Sequence, residues 1–237
     1  LGSKTNYFQG SNKPWPQGAF RLGFSTQIPT EMKLLFGELD ITPRVEERLE
    51  ELGYTVADLQ EAVINHKSDC DGQPSVYVGT YGKYNDGSLC GLWIDLSTFN
   101  DFDDFINFCM AIHADEEDPE LMAQDFEGFP RQWYNEGFMS EDDFDNIIEY
   151  SELCDKYSQE AVDDYMEFHD ELDDFEEAYC GEWDSEEDFA RHIVSECYDL
   201  ERSMGELANY FDYEAFGREL FMWDYSMGAN GNVFRRV

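Results

Sequence analysis

The chain has 237 residues, of which 54 are Asp or Glu and 15 are Lys or Arg, giving a formal charge of −39. That balance excludes a protein that grips a phosphate backbone through basic surface, and an anionic membrane would repel it. Aromatic residues make up 16% of the chain, which excludes a disordered acidic tail, because such tails lack the rings from which a core is built. No apolar run approaches the roughly 20 residues of a membrane-spanning helix and no charged-then-apolar leader opens the chain, so the expected setting is the cytoplasm and the expected partner is basic.

The charge is concentrated. Residues 1–74 hold 11 acids and 7 bases, 75–100 hold 2 and 1, 101–200 hold 35 and 3, and 201–237 hold 6 and 4. An acid coat of the halophilic kind would cover the whole chain, whereas here one stretch carries −32 of the total.

In chain order, residues 1–13 contain YFQG at 7–10, which reads as the end of a protease-cleavable expression tag and is set aside. Pro14, Trp15 and Pro16 read as an extended lead-in. Thr42 and Pro43 are a cap followed by proline at the first helical position, and Gly53 is placed to end that helix. Thr55 opens a second helix with Val56, Leu59, Val63 and Ile64 on one side. Residues 14–74 are therefore expected to form a helical unit of unassigned role, closed by the polar, turn-rich stretch 68–74. A strand-rich part is expected over 75–115. In it Val76, Tyr77 and Val78 pair with Leu92, Trp93 and Ile94 around a turn at Asn85, Asp86 and Gly87, and a helix follows through Phe102, Phe105, Ile106, Cys109 and Ile112. An acidic helical part is expected over 116–183, with a capping-box start at Ser140 leading into Phe144, Ile147 and Ile148. Residues 184–237 read as a mixed part. Ser185 starts a helix through Phe189, Ile193 and Cys197, and segments 221–225 and 232–236 flank Asn230-Gly231 as a terminal hairpin. The fold class is α+β.

The segment 158–180 concentrates the pattern. Ala161, Tyr165, Phe168, Leu172, Phe175 and Tyr179 step by 4, 3, 4, 3, 4, which predicts one long helix. Glu160, Asp163, Asp164, Glu167, Asp170, Glu171, Asp174 and Glu177 fall on a separate stripe of that helix. Eight carboxylates along about 26 Å of axis at ~1.5 Å rise per residue give one charge per ~3.6 Å. A strand of B-DNA carries one per ~3.4 Å. Like charges at i,i+4 cost a few tenths of a kcal/mol per pair, and only Lys156 is near enough to offset them, so local helix energetics do not explain the stripe.

Other chemistry is weakly signalled. The six cysteines lack any CxxC pair and are expected to be reduced core thiols. His66, His113, His169 and His192 are isolated and show no metal-ligand spacing; His169 is expected at the boundary between seam and acids. Asp69-Cys70-Asp71-Gly72 is too short for an EF-hand loop, and residues 79–83 lack the P-loop spacing. With so many acids, carboxylate pairs arise at any spacing and carry no glycosidase signal. No catalytic constellation, cofactor or metal is expected, and the chain does not read as an enzyme.

Several separated motifs in order, PSVYVG at 74–79, YNDGSLCGLWID at 84–95, QDFEGF at 124–129, YFDYEAFGREL at 210–220 and VFRR at 233–236, resemble the ArdA family of antirestriction proteins over about 75–237. The resemblance implies an elongated three-part fold, encoded on mobile genetic elements, that dimerises through its C-terminal part and whose surface imitates bent double-stranded DNA. It implies inhibition of type I restriction-modification enzymes by occupation of the DNA cleft of their methyltransferase core, with no direct binding of nucleic acid. The family's antirestriction motif would fall near 200–211, making Leu200, Met204, Leu207, Tyr210 and Phe211 candidate dimer-interface residues. Gly217 stands where the family pattern leads one to expect alanine, which would weaken the local helix.

The partner-binding surface expected from charge and resemblance together comprises the stripe above with Asp103, Asp104, Asp115, Glu116, Glu117, Asp118, Glu120, Asp142, Asp143, Glu186 and Glu187. Two other classes remain open at this point. One is an acidic module that sequesters a different basic protein, such as a nucleoid protein or nuclease effector. The other is an enzyme with carboxylates buried in a pocket, which would show strongly shifted acids instead of a solvated acidic face.

Overall fold

The computed structural model describes residues 42–64 and 72–236; the tag-like start, the lead-in, His66 and Cys70 lie outside the described residues. Within them the protein is α+β, with ten helices and two antiparallel sheets.

Helix α1 (Pro43–Glu51) starts on Thr42, whose hydroxyl accepts from the Val45 amide, and Gly53 beyond it takes the left-handed φ of +82°. Helix α2 (Val56–Ala62) has a complete Thr55/Asp58 capping box and runs straight into strand β1 (Val63–Ile64). Strand β1 pairs with β3 (Leu92–Asp95), which pairs with β2 (Ser75–Thr80), which pairs with β4 (Leu121–Glu127), so the first sheet has the order β1-β3-β2-β4. The expected pairing of 76–78 with 92–94 is present in register, Val76 opposite Ile94 and Tyr77 opposite Trp93. A short helix α3 (Tyr81–Asn85), capped by Thr80, precedes the turn at Gly87. Strand β4 was not expected: its QDF sequence does not alternate, and it pairs with β2 only through a register shift between Tyr77 and Val78.

Alternation puts Val76, Val78 and Ile94 on the inner face, where they join Phe105, Phe108, Cys109 and Ile112 of helix α4 (Phe102–Ile112). Val45, Leu49 and Leu59 belong to the same core, and α1 packs on α4. The expected division at 68–74 therefore does not separate two cores: the helical pair before it completes the sheet and the core after it. Phe138, the one described non-glycine residue at positive φ (84°), is held by a stacked contact with Phe105 at 5.6 Å.

Helix α5 (Glu141–Lys156) has both halves of its Ser140/Asp143 capping box and buries Phe144, Ile147, Tyr150 and Leu153. The single helix expected over 158–180 is not formed. Helix α6 (Gln159–Met166) stops, residues 167–174 turn back, a four-residue helix α7 (Phe175–Ala178) follows, and strand β5 (Tyr179–Glu182) begins at the last seam residue. Four seam residues, Ala161, Tyr165, Leu172 and Phe175, are buried, but Phe168 is 45% exposed. The physical reason is twofold. Continuing the helix would place Glu167, Asp170, Glu171 and Asp174 at repelling spacings with no base between them and near the negative end of the helix dipole. Folding back instead lets Tyr165, Phe175, Tyr179 and Phe234 form one cluster of ring contacts between 5.1 and 5.9 Å.

Helix α8 (Glu186–Cys197) is capped by Ser185; α9 (Leu200–Met204), a 3-10 segment (Gly205–Tyr210) and α10 (Tyr213–Trp223) follow. Strands β6 (Tyr225–Met227) and β7 (Asn232–Arg235) form the expected hairpin, although 221–223 stay helical, and β7 also pairs with β5 in the order β5-β7-β6. A boundary at 183/184 is thus bridged by a sheet. Gly217 has a packing reason: a Cβ there would lie 2.8 Å from the Glu186 carbonyl oxygen, so glycine lets α10 approach the start of α8.

Asp164 locks the acidic helices to the terminal hairpin. At 1% exposure it accepts from the backbone amide and side-chain Nδ2 of both Asn230 and Asn232, at 2.9 to 3.3 Å. Gly228 leaves room for it, since a Cβ there would overlap the Asp164 carboxylate. Replacing Asp164 by Ala strands these buried donors and is expected to cost about 3 kcal/mol, read as a lowered urea midpoint; an unchanged midpoint would show the latch to be dispensable.

Candidate partner-binding surface

The acids of 101–200 divide by what holds them. A first group caps helices. Asp101 caps α4, with Asp103 and Asp104 in its first turn; Glu141, Asp142 and Asp143 begin α5; Glu186, Glu187 and Asp188 begin α8. Each trio sits at the positive end of a helix dipole, which makes clustered carboxylates locally favourable. A second group is internally paired. Lys83 Nζ donates to Asp115 at 3.0 Å and lies 3.5 Å from Glu116, Lys156 bonds Glu176, and Arg191 bonds Glu187. The three bases of this stretch are turned to the protein's own groups: besides those pairs, Arg131 lies over the Tyr134 ring at 4.5 Å and Arg191 over Tyr213 at 4.2 Å.

A third group faces solvent. Glu117, Asp118 and Glu120 lie on the segment before β4, Glu160 and Asp163 on α6, Glu167, Asp170, Glu171 and Asp174 on the turn after it, and Glu177 on α7. The eight carboxylates of the expected stripe therefore do not form one straight rail. Asp164 leaves the surface altogether, because its carboxylate is consumed inside the fold. Sequence spacing could not show this, since the hairpin that supplies its donors lies more than sixty residues away.

His113, Asp115 and Glu116 bring ligand atoms within 4.8 Å of one another, the one such metal-capable trio among the described residues. Lys83 occupies it: its ammonium donates to His113 Nδ1 at 3.0 Å, and Thr80 Oγ1 donates to Glu116 at 2.6 Å. Burial first, and then the Lys83 charge, hold the His113 imidazole down at about 4 from 6.5, so it is neutral and able to accept. A group depressed in the folded state gives its full stability above the unfolded value, and loses it as pH falls from 6.5 toward 4. That loss is at most about 3 kcal/mol. Lys83→Met is expected to raise the His113 value toward 6.5 and so shrink the loss, read by NMR titration of the imidazole; an unmoved titration would mean that burial alone sets it. Among the acids, Glu149 is raised by partial burial and by Asp173 and Glu152 beside it, the pattern of crowded surface carboxylates and not of a catalytic pair.

Apolar exposure concentrates elsewhere. Of the nine large apolar side chains that are exposed among the described residues, six fall between 198 and 223: Tyr198, Met204, Leu207, Tyr210, Met222 and Trp223. Leu200 and Phe211 are half-buried, Phe211 ringed by Tyr213 at 4.9 Å and Phe216 at 5.6 Å. Tyr198, Met222 and Trp223 escaped the sequence reading; the readable signal was that α10 is apolar on more than one side through Phe216, Leu220, Phe221, Met222 and Trp223. Of the five described cysteines only Cys109 is fully buried, so the expectation of core thiols holds for one of them.

The family model of the antirestriction protein (ArdA) matches residues 76–234. A comparison with curated proteins returns no match.

Proposed function

The chain belongs to the antirestriction protein (ArdA) family, and on that premise we propose that it imitates double-stranded DNA and inhibits type I restriction-modification enzymes by occupying the DNA cleft of their methyltransferase core. The observation that carries this reading is the third group of acids. Solvated carboxylates on α6, the following turn, α7 and the segment before β4 are fixed to a ring-packed core, while the few bases nearby are spent internally.

A DNA cleft is a basic channel whose affinity comes largely from neutralising phosphates. Carboxylates presented on a rigid scaffold meet the same charges, and because phosphate contacts carry no sequence information, such a surface acts across enzymes of different recognition sequence. A surface already curved like bound DNA also spares the enzyme the cost of bending a duplex. Long-range attraction makes association fast and salt-sensitive.

Stoichiometric addition is therefore expected to relieve cleavage by a type I enzyme, less so as salt rises. The combined variant Glu160→Gln, Glu167→Gln, Glu171→Gln, Glu177→Gln is expected to slow association about tenfold at low salt with less effect on dissociation, measured by surface-immobilised kinetics. Cleavage untouched by excess protein would defeat the reading, and an unchanged association rate would move the contact surface away from α6 and α7.

The exposed apolar residues of 198–223 support a homodimer formed through this region, since a monomer rarely leaves so many large apolar side chains in water. The variant Leu207→Glu, Trp223→Glu, at 63% and 69% exposed positions that bear little of the core, is expected to yield folded monomer in sedimentation experiments. A dimer that survives both changes would place the interface elsewhere.

A further inference from the structure

A pocket of about 460 Å³ opens between the end of strand β4 and helices α5 and α6. One wall is the loop through Gly128 and Phe129. Gly128 has φ +80°, and a Cβ there would run into the Gln73 carbonyl, so the loop is held against the preceding chain. Tyr150, 3% exposed, lines the pocket from α5, and its hydroxyl donates to Asp163 Oδ1 at 2.8 Å. The second oxygen of Asp163 meets only the long 3.4 Å approach of Gln159 Nε2, which leaves it acceptor capacity. Asp155 adds a second exposed carboxylate and half-buried Glu127 a third, and no Lys, Arg or His is among the described residues that line the pocket.

These features select a ligand by chemistry. Acceptors without a basic side chain disfavour an anion, and a concave wall focuses the negative field on a cation. A wall that includes the Tyr150 and Phe129 side chains favours a weakly hydrated cation over a compact ammonium, and the exposed carboxylates of Asp155 and Asp163 favour a group with several in-plane donors. A guanidinium meets both conditions, and the volume lies within the range of small-ligand sites, ample for an arginine side chain with its flanking backbone.

We propose that this pocket receives an arginine side chain of the basic partner protein. The inference rests on the functional reading above and adds an anchor to it. The open acidic surface supplies attraction at a distance, and the pocket supplies one desolvated, directional contact that slows release.

The test uses the full chain. N-acetyl-arginine methylamide is expected to shift the Gln159 side-chain amide in a saturable way, the uncharged isostere N-acetyl-citrulline methylamide is not, and Asp155→Asn, Asp163→Asn is expected to abolish the response. Asp163→Asn keeps an acceptor for Tyr150, and Asp155→Asn alone, at an exposed position, gives a second variant that does not disturb packing. In inhibition of a type I enzyme the pocket pair is expected to lose about tenfold more potency than the equally charged pair Glu117→Gln, Asp118→Asn, chiefly through faster dissociation. Equal responses to arginine and citrulline, or none, overturn the pocket's chemistry. A saturable arginine response with equal potency loss in both pairs overturns its use by the partner. Failure of the native protein to inhibit any type I enzyme would instead defeat the functional reading, with the arginine titration still deciding what the pocket binds.

Discussion

Mutual repulsion among the carboxylates of residues 101–200 is the constraint to which the rest of the structure answers. Thirty-five acids against three bases cannot be neutralised within the stretch, so cohesion must come from surface that repulsion does not touch. The rings supply it. Phe99, Phe102, Phe105, Phe108, Phe138 and Phe144 form a chain of ring contacts around α4 and the start of α5, and Tyr157, Tyr165, Phe175, Tyr179 and Phe234 form a second around α6 and β7. Each ring buries a large apolar area and adds directional edge or stacking contacts, so few residues carry much cohesion.

The same constraint explains where acids are tolerated. At the starts of α4, α5 and α8 they meet unpaired backbone amides and a positive dipole end, and are locally favourable whatever the protein binds. On the turn after α6 they have no such compensation. There the chain abandons the helix that its apolar spacing favours, exposing Phe168 in the process. Acids at helix starts, Glu160 of α6 and Glu177 of α7 included, have an explanation inside the fold, as does Asp163, which accepts from Tyr150; Glu167, Asp170 and Glu171 on the turn do not, which makes them the ones that ask for a partner.

Asp164 marks the opposite use of the same side chain. Buried and surrounded by four N–H donors from Asn230 and Asn232, it becomes a structural acceptor that fastens the hairpin to α6. The hairpin then carries β7 into the sheet with β5, so the surface on α6 and α7 and the exposed apolar residues of 198–223 are parts of one connected scaffold.

The chain by itself determined the caps, the turns and the paired strands, because Thr42, Thr55, Ser140 and Ser185 act on amides three residues away, and Val76–Val78 and Leu92–Ile94 alternate along a short hairpin-like path. It also determined how much charge the protein carries, and in which stretch. What only the tertiary structure decided involves partners distant in sequence: that β1 completes the sheet of β3 and ties 42–64 into the common core, that the 158–180 seam folds back upon Phe234, that Gly217 makes room for the Glu186 backbone, and that Asp164 turns inward to the asparagines of the hairpin. Spacing reports which residues share a face of an element, whereas which face is buried, and against what, is fixed by contacts that close over many residues and compete with local preference.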